Sequence, residues 1–152
     1  LEALVATTHE QSLDCPKLTG LRTPAEILAG HRASHCFTPE TWWAVDVDSR
    51  PAGVCLVNDT ASAKTAMVVY LGVIPEMRGQ SIARAMLRHA AKISSDSGHK
   101  SLRLGVDLRN TYARNAYLLE GFRSVHSSRV FIRSVAVTCP QSCERSSSWP
   151  RC

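Results

Sequence analysis

The apolar positions change period along the chain. From Trp42 to Val73 they fall in short, dense runs broken by polar turns, while the segments on either side repeat at helical spacing. A first helix is predicted from Leu1 to about Gln11, with Leu1, Leu4 and Val5 on one side. Leu13 to Gly20 reads as a loop. Thr23-Pro24-Ala25-Glu26 is a helix start: Thr23 caps, Pro24 takes the first position, and Glu26 closes a capping box. That helix runs to about His31, with Ile27 and Leu28 facing inward. Thr41–Val47 is strand-like, and Trp42 and Trp43 point to opposite faces, so only one is expected in the core. Asp48 to Gly53 is a turn, Val54 to Val57 a strand, and Asn58 to Lys64 a polar loop. Ala66 to Val73 is almost wholly apolar, as suits a central strand buried on both faces. The spacing of these strands points to an antiparallel meander.

Helical period returns after a short polar turn. From Ser81 to about Ser97, Ile82, Met86, Leu87, Ala90 and Ile93 share a face, and Arg84, Arg88 and Lys92 line the other. Gly98 is a natural stop. Leu102, Leu104 and Val106 alternate in a strand from Ser101 to Val106. Asn110 caps a helix from Thr111 to Glu120, which Gly121 ends. Phe122–Val125 and Val130–Val135 read as two short strands. Residues 1–137 are expected to form one domain. Thr138–Cys152, rich in Ser, Cys and Arg without a period, reads as a disordered tail or an extraneous extension.

Composition adds little until charge is mapped. Residues 78–133 carry a net +8 and the remainder −3. A basic half suits a polyanionic ligand, although a solvated basic surface has the same composition. The six cysteines form no Cys-x-x-Cys and no zinc spacing, so no metal site is expected. Cys55, in a strand-like run, reads as an inert core residue. No basic segment followed by an apolar stretch marks a signal peptide, and no apolar run approaches the ~20 residues that span a bilayer. Reduced thiols in a cytoplasmic protein are the default. Beginning at Leu1 inside a helix, the chain reads as a fragment or as lacking its start.

The chemistry concentrates between Leu71 and Leu87. An apolar strand breaks at Pro75, an Arg78-Gly79-Gln80-Ser81 turn follows, and a helix begins at once. Such a junction is an anion cradle: backbone N–H groups converge and the helix dipole adds about half a positive charge. The segment resembles the acyl-CoA pyrophosphate loop of the GCN5-related N-acetyltransferases (GNAT), Arg/Gln-x-x-Gly-x-Gly/Ala, at Arg78 and Ala83, with Ser81 in the glycine position. A second stretch resembles the family signature Asn-x-x-Ala-x-x-x-Tyr-x-x-x-Gly-Phe at Asn110, Ala113, Tyr117, Gly121 and Phe122. One helix and one strand separate the two motifs, as in the family.

The resemblance covers about Leu1 to Val135. It implies an α/β (α+β) GNAT acyl-CoA N-acyltransferase fold, a mixed, mostly antiparallel sheet flanked by helices, less its first strand, which would precede Leu1. It implies an acetyl-CoA-dependent N-acetyltransferase in which a primary amine, on a small molecule or a protein, attacks directly in a ternary complex without a metal. Backbone groups near Leu71 and Val73 would bind the pantetheine arm and polarise the thioester. Ser81, Ile82 and Ala83 would offer N–H groups to the pyrophosphate, with Arg78, Gly79 and Gln80 completing the loop. Asn110 would touch the pantetheine, cap its helix, or both. Tyr117 falls at the family's general acid. The amine's base is not identified: Glu40, Asp46, Asp107 and His35 are candidates by residue type only. The acceptor site would draw on Asp14, Cys15, Trp42 or Trp43, and His126.

Ser81 is the sharpest departure. With φ > 0 it would cost ~1–2 kcal/mol and weaken CoA binding up to about thirty-fold; with negative φ the change would be silent. The alternative reading is a non-catalytic or decayed acyl-CoA-binding protein. A nucleic-acid module ranks below both, because the arginines accompany a CoA-type loop rather than an aromatic-studded stripe. An exposed edge left by the missing strand would invite a homodimer.

Overall fold

The computed structural model describes residues 1–16, 20–34, 36–62 and 64–131. Helices α1 (Glu2–His9) and α2 (Pro24–Ala33) precede strands β1 (Trp42–Val47), β2 (Arg50–Asp59) and β3 (Thr65–Val73). Then come α3 (Ile82–Asp96), β4 (Ser101–Leu104) and α4 (Thr111–Leu119), with short 3-10 turns at Pro39–Thr41 and Pro75–Met77. The strands lie in chain order in one sheet. β1, β2 and β3 are antiparallel, and β3 and β4 are parallel. This is the mixed, mostly antiparallel α/β fold that the sequence implies. No helix among the described residues is long and apolar enough to cross a membrane.

Two apolar clusters, one on each face of the sheet, hold the fold together. Val5, Leu28, Val54 and Leu56 join α1 and α2 to one face; Cys55, Val57, Ala66, Val68, Ile82, Met86 and Ala90 join α3 to the other. Because both faces are covered, both tryptophans are used. Trp42 packs into the first cluster, and Trp43 into the second, where it meets His89 edge-on. The expectation that only one would join the core is corrected. Cys55 is fully buried, and burial pushes its thiol up to about 12, so it is inert.

Several boundaries move for identifiable reasons. The turn after β1 is only Asp48-Ser49, both at positive φ, the conformation a two-residue hairpin requires. Pro51 lies in β2 opposite a register shift at Val45/Asp46, where a residue without an N–H fits. Asn58, expected in a loop, is buried in β2. Its amide donates to the carbonyls of His31 and Ser34 at 2.8 Å each and accepts from Trp42 Nε1 at 2.7 Å, so no polar atom is stranded. β4 stops at Leu104 rather than Val106.

The two strands expected after α4 do not form where the chain is described. Phe122 is taken up by the helix end instead. Its N–H donates to Tyr117 O and that of Gly121 to Leu118 O, a Schellman cap with Gly121 at φ 84°. Residues 123–131 are exposed and carry no secondary structure. Residues 132–135 of the second expected strand, and the expected tail, lie outside the described residues.

Candidate active site

A bulge in β3 opens the site. Along β2, Leu56 pairs with Tyr70 but Val57 pairs with Val68, so Val69 is an extra residue. A bulge bends its strand, and here the bend coincides with the end of the parallel ladder, whose last pair is Val68 with Leu104. Beyond it β3 continues to Val73 while β4 has ended. Ile74 donates its N–H to Ala52 O on β2, and Gly72 O also lies on that side, against Gly53. By the alternation of strand groups, the N–H and C=O of Leu71 and Val73 therefore point to the opposite edge, the one β4 leaves bare.

That edge runs into the cradle. Gly79 sits at φ 79° and Ser81 at φ 62°, ψ 11°. An N-cap side chain reaches back only from extended backbone, so left-handed Ser81 makes no capping bond to α3. The first backbone bond of the helix is Ala85 N–H to Ser81 O, and among the described residues no acceptor meets the N–H groups of Gly79 through Arg84. Six consecutive donors at a helix N-terminus are the chemistry of a phosphate site. The left-handed turn is already part of the folded chain. Its cost of ~1–2 kcal/mol therefore falls on folding and need not recur when an anion binds.

Arg78 serves a different end. Its backbone N–H donates to Pro75 O. Its guanidinium donates to Val73 O (3.1 Å), Gln11 O (3.3 Å), Thr8 O (3.2 Å) and Glu10 O (2.6 Å). Four of its five donors thus clasp the end of α1 and the end of β3, which leaves one guanidinium N–H for an anion in the adjoining cradle. Cationic donors on the last carbonyls also suit the negative end of the α1 dipole.

Where the β3–β4 ladder ends lies a cavity of about 90 Å³, lined by Thr8, His9, Ser12, Asp14, Val68, Tyr70, Leu71, Leu104, Gly105 and Tyr117. At ~30 Å³ per water it has room for a small group of a few heavy atoms. Tyr117 projects from α4, fixed by the Schellman cap and by its tilted contact with Phe122 at 6.0 Å. Asn110 starts that helix by accepting from Ala113 N–H at 3.2 Å, so capping is the role seen for it. Among the described residues the Tyr117 hydroxyl has no hydrogen-bond partner, and burial pushes the phenol up to about 12.

The wall opposite is built from residues that sequence reasoning largely passed over. Tyr70 exchanges a 2.7 Å hydrogen bond with Thr8 Oγ1, and its ring meets His9 at 5.4 Å and His31 at 5.9 Å. Burial lowers the pKa of His9 against the pull of Asp14, and burial, Arg22 and His9 lower that of His31. His9 Nε2 is buried with no partner, a condition costing ~1–3 kcal/mol. A histidine ending an amphipathic helix just before Asp14 was the available signal. Asp14, which was expected here, lines the cavity and accepts from Asp107 N–H at 2.6 Å, drawing the end of β4 toward the α1–α2 loop. Cys15 is exposed beside it. Trp42, Trp43 and His126 are not in the cavity lining. Among the candidate bases, Glu40 and Asp46 are exposed. Asp107 is held by Arg109, which keeps its carboxyl well below the usual range. His35 lies outside the described residues.

A strand edge left bare, an uncapped helix start and a half-buried tyrosine lie around the end of β3. The model of the acetyltransferase (GNAT) family matches residues 7–122, and the chain belongs to that family. Ard1 from Thermoplasma volcanium is similar at 23% identity, TM-score 0.61, over 73% of this chain and 72% of its own. The ribosomal-protein-S18-alanine N-acetyltransferase from Escherichia coli is similar at 16% and 0.61, over 82% and 70%. IAA acetyltransferase from Bacillus cereus is similar at 21% and 0.53 over 57% of this chain, which spans 59% of that protein's length. At these identities the structures show a shared fold. No curated protein matches the sequence.

Proposed function

We propose that this chain transfers the acetyl group of acetyl-CoA to a primary amine by direct attack in a ternary complex. The observation that carries the reading is Tyr117: a half-buried phenol without a hydrogen-bond partner among the described residues, in one cavity with Leu71 on the free edge of β3. The remaining parts fit the co-substrate. The N–H groups of Gly79–Arg84, including Gln80, Ser81, Ile82 and Ala83, suit the pyrophosphate, and Leu71 and the N–H of Val73 suit the pantetheine amides. CoA supplies a thioester and a thiolate leaving group. Tyr117, protonated well beyond neutral pH, donates to that sulfur. One protein of this fold acts, by its name, on an alanine of ribosomal protein S18; the acceptor proposed here is an amine on a peptide or a small molecule.

The test is CoA release from acetyl-CoA across an amine panel, with desulfo-CoA binding measured in parallel. Tyr117→Phe breaks no protein hydrogen bond, so desulfo-CoA should bind within twofold while turnover falls ~10²–10⁴-fold, the usual worth of such proton transfer. The acid is the protonated phenol and its pKa is raised to about 12. Tyr117 should therefore impose no alkaline decline on turnover below roughly pH 11. Binding without turnover on any amine would reduce the protein to a CoA binder. Salt-sensitive nucleic-acid binding without CoA binding would overturn both.

A further inference from the structure

The His9 imidazole and Tyr117 line the same cavity, and the buried His9 Nε2 has no hydrogen-bond partner among the described residues. Its ring is held against Tyr70, which Thr8 anchors, and the end of its helix is clasped by Arg78. A ring held against its neighbours in the cavity lining, with a buried nitrogen left unpaired among the described residues, is placed to meet a ligand. Asp14, the one carboxylate in the lining, supplies the charge that would hold an imidazolium.

We propose that the His9 imidazole takes the proton from the acceptor ammonium, with the Asp14 carboxylate stabilising the imidazolium that forms. This rests on the acetyltransferase reading. His9 removes one proton from the ammonium, and the freed amine forms its C–N bond at the thioester carbonyl as the C–S bond breaks. Tyr117 gives its phenolic proton to the departing sulfur and regains one from the nitrogen, which becomes the amide. His9 then releases its proton to water. Around His9 are Asp14 from the following loop and Tyr117 from α4 in the same lining, Tyr70 from β3 against its ring, His31 from α2 on that same tyrosine, and Arg78 on the carbonyls of the flanking Thr8 and Glu10. Of these only Asp14 favours the charged ring, and burial opposes it. Burial holds the ring's pKa below the ordinary histidine range, so the free base is present at neutral pH and is lost only in more acidic solution than for an ordinary histidine.

Two variants test the assignment. His9→Gln removes basicity but keeps a polar side chain, and His9→Phe keeps the ring packing on Tyr70. Both should bind desulfo-CoA within twofold of wild type. At pH 7 turnover should fall ~10²–10³-fold on a peptide whose only amine is a lysine, and about tenfold on one whose only amine is an α-amino group. A lysine amine of pKa ≈ 10.4 is far more fully protonated there than an α-amine of about 8. The deficit should shrink as pH is raised to 10. Equal loss on both peptides, unchanged by pH, would overturn the proposal. A readout independent of turnover is the nitrogen-15 NMR of the His9 ring with desulfo-CoA and n-butylammonium. A saturable shift, with the ring titrating at lower pH beside the added cation, is expected. No shift would overturn the proposal. A wild type that acetylates no amine yet shows the shift would sink the acetyltransferase reading alone and leave His9 as the amine contact.

Discussion

Helices α2 and α3 begin in opposite ways. At α2 the chain satisfies itself: Thr23 Oγ1 accepts from Glu26 N–H at 3.2 Å, and the Glu26 carboxylate accepts from Thr23 N–H at 2.7 Å, with Pro24 in the first turn. At α3 the N-cap serine is left-handed, makes no cap, and leaves the donors of Gly79 through Arg84 without acceptors among the described residues. Optimising α2 alone gives a stable helix start, worth ~1 kcal/mol in its cap. The α3 start gives up that stability and adds strain. Local backbone strain that the surrounding structure holds in place marks functional segments, and here it keeps a row of donors open. α4 stands between the two, capped by Asn110 at its start while carrying Tyr117 further along.

The contrast is broken most sharply by placing a charge in the α3 cradle. Ser81→Asp sets a carboxylate among the same N–H groups. Hydrogen bonds to charged groups are worth ~1.5–3 kcal/mol each, so losing one or two should weaken desulfo-CoA binding by roughly thirtyfold or more. Calorimetric titration reads this directly. Unchanged affinity would mean that these donors are not the phosphate site.

The complementary change is Thr23→Ala, which removes the self-satisfying cap of α2. It should cost ~1 kcal/mol of stability, a fall in Tm of about 2–4 °C for a chain of this size. Affinity for desulfo-CoA should stay within twofold, because α2 contributes no residue to the cavity. A thermal melt beside the same titration separates the two effects. A loss of affinity would show that the two helix starts are coupled through the sheet.

The same contrast separates what was legible in the sequence from what was not. The capping box at α2, the Asn110 cap and the Gly121 stop are local chemistry written in adjacent residues, and all three form. The three strands from Trp42 to Val73 were legible as well, because β-branched runs announce themselves, whereas the same signal at Phe122–Val125 misled. What the sequence hid depends on distant partners. The bulge at Val69 leaves no trace in a strand that is apolar on both faces. Nothing beside Arg78 in the sequence announces its clasp on the end of α1, some seventy residues away. Phe122 fits a strand pattern and a helix-cap pattern equally well, and the contact with Tyr117 decides between them. His9 and Tyr70 meet only because α1 crosses β3. The cradle itself was visible as a motif, but the φ of Ser81 was not.

Ser81→Gly is the smallest change and the finest test of where the strain acts. Glycine removes the left-handed penalty of ~1–2 kcal/mol. It also enlarges the freedom of the unfolded chain, which offsets ~0.4–1 kcal/mol. The net gain in stability is therefore roughly 0.5–1 kcal/mol, a rise in Tm of no more than about 3 °C. Since the turn holds its left-handed form in the folded chain before any anion arrives, desulfo-CoA affinity should move by less than twofold. An affinity gain near tenfold with no change in Tm would reverse this account. The free chain would then populate a different turn, and the six donors would be assembled by the cofactor rather than held ready for it.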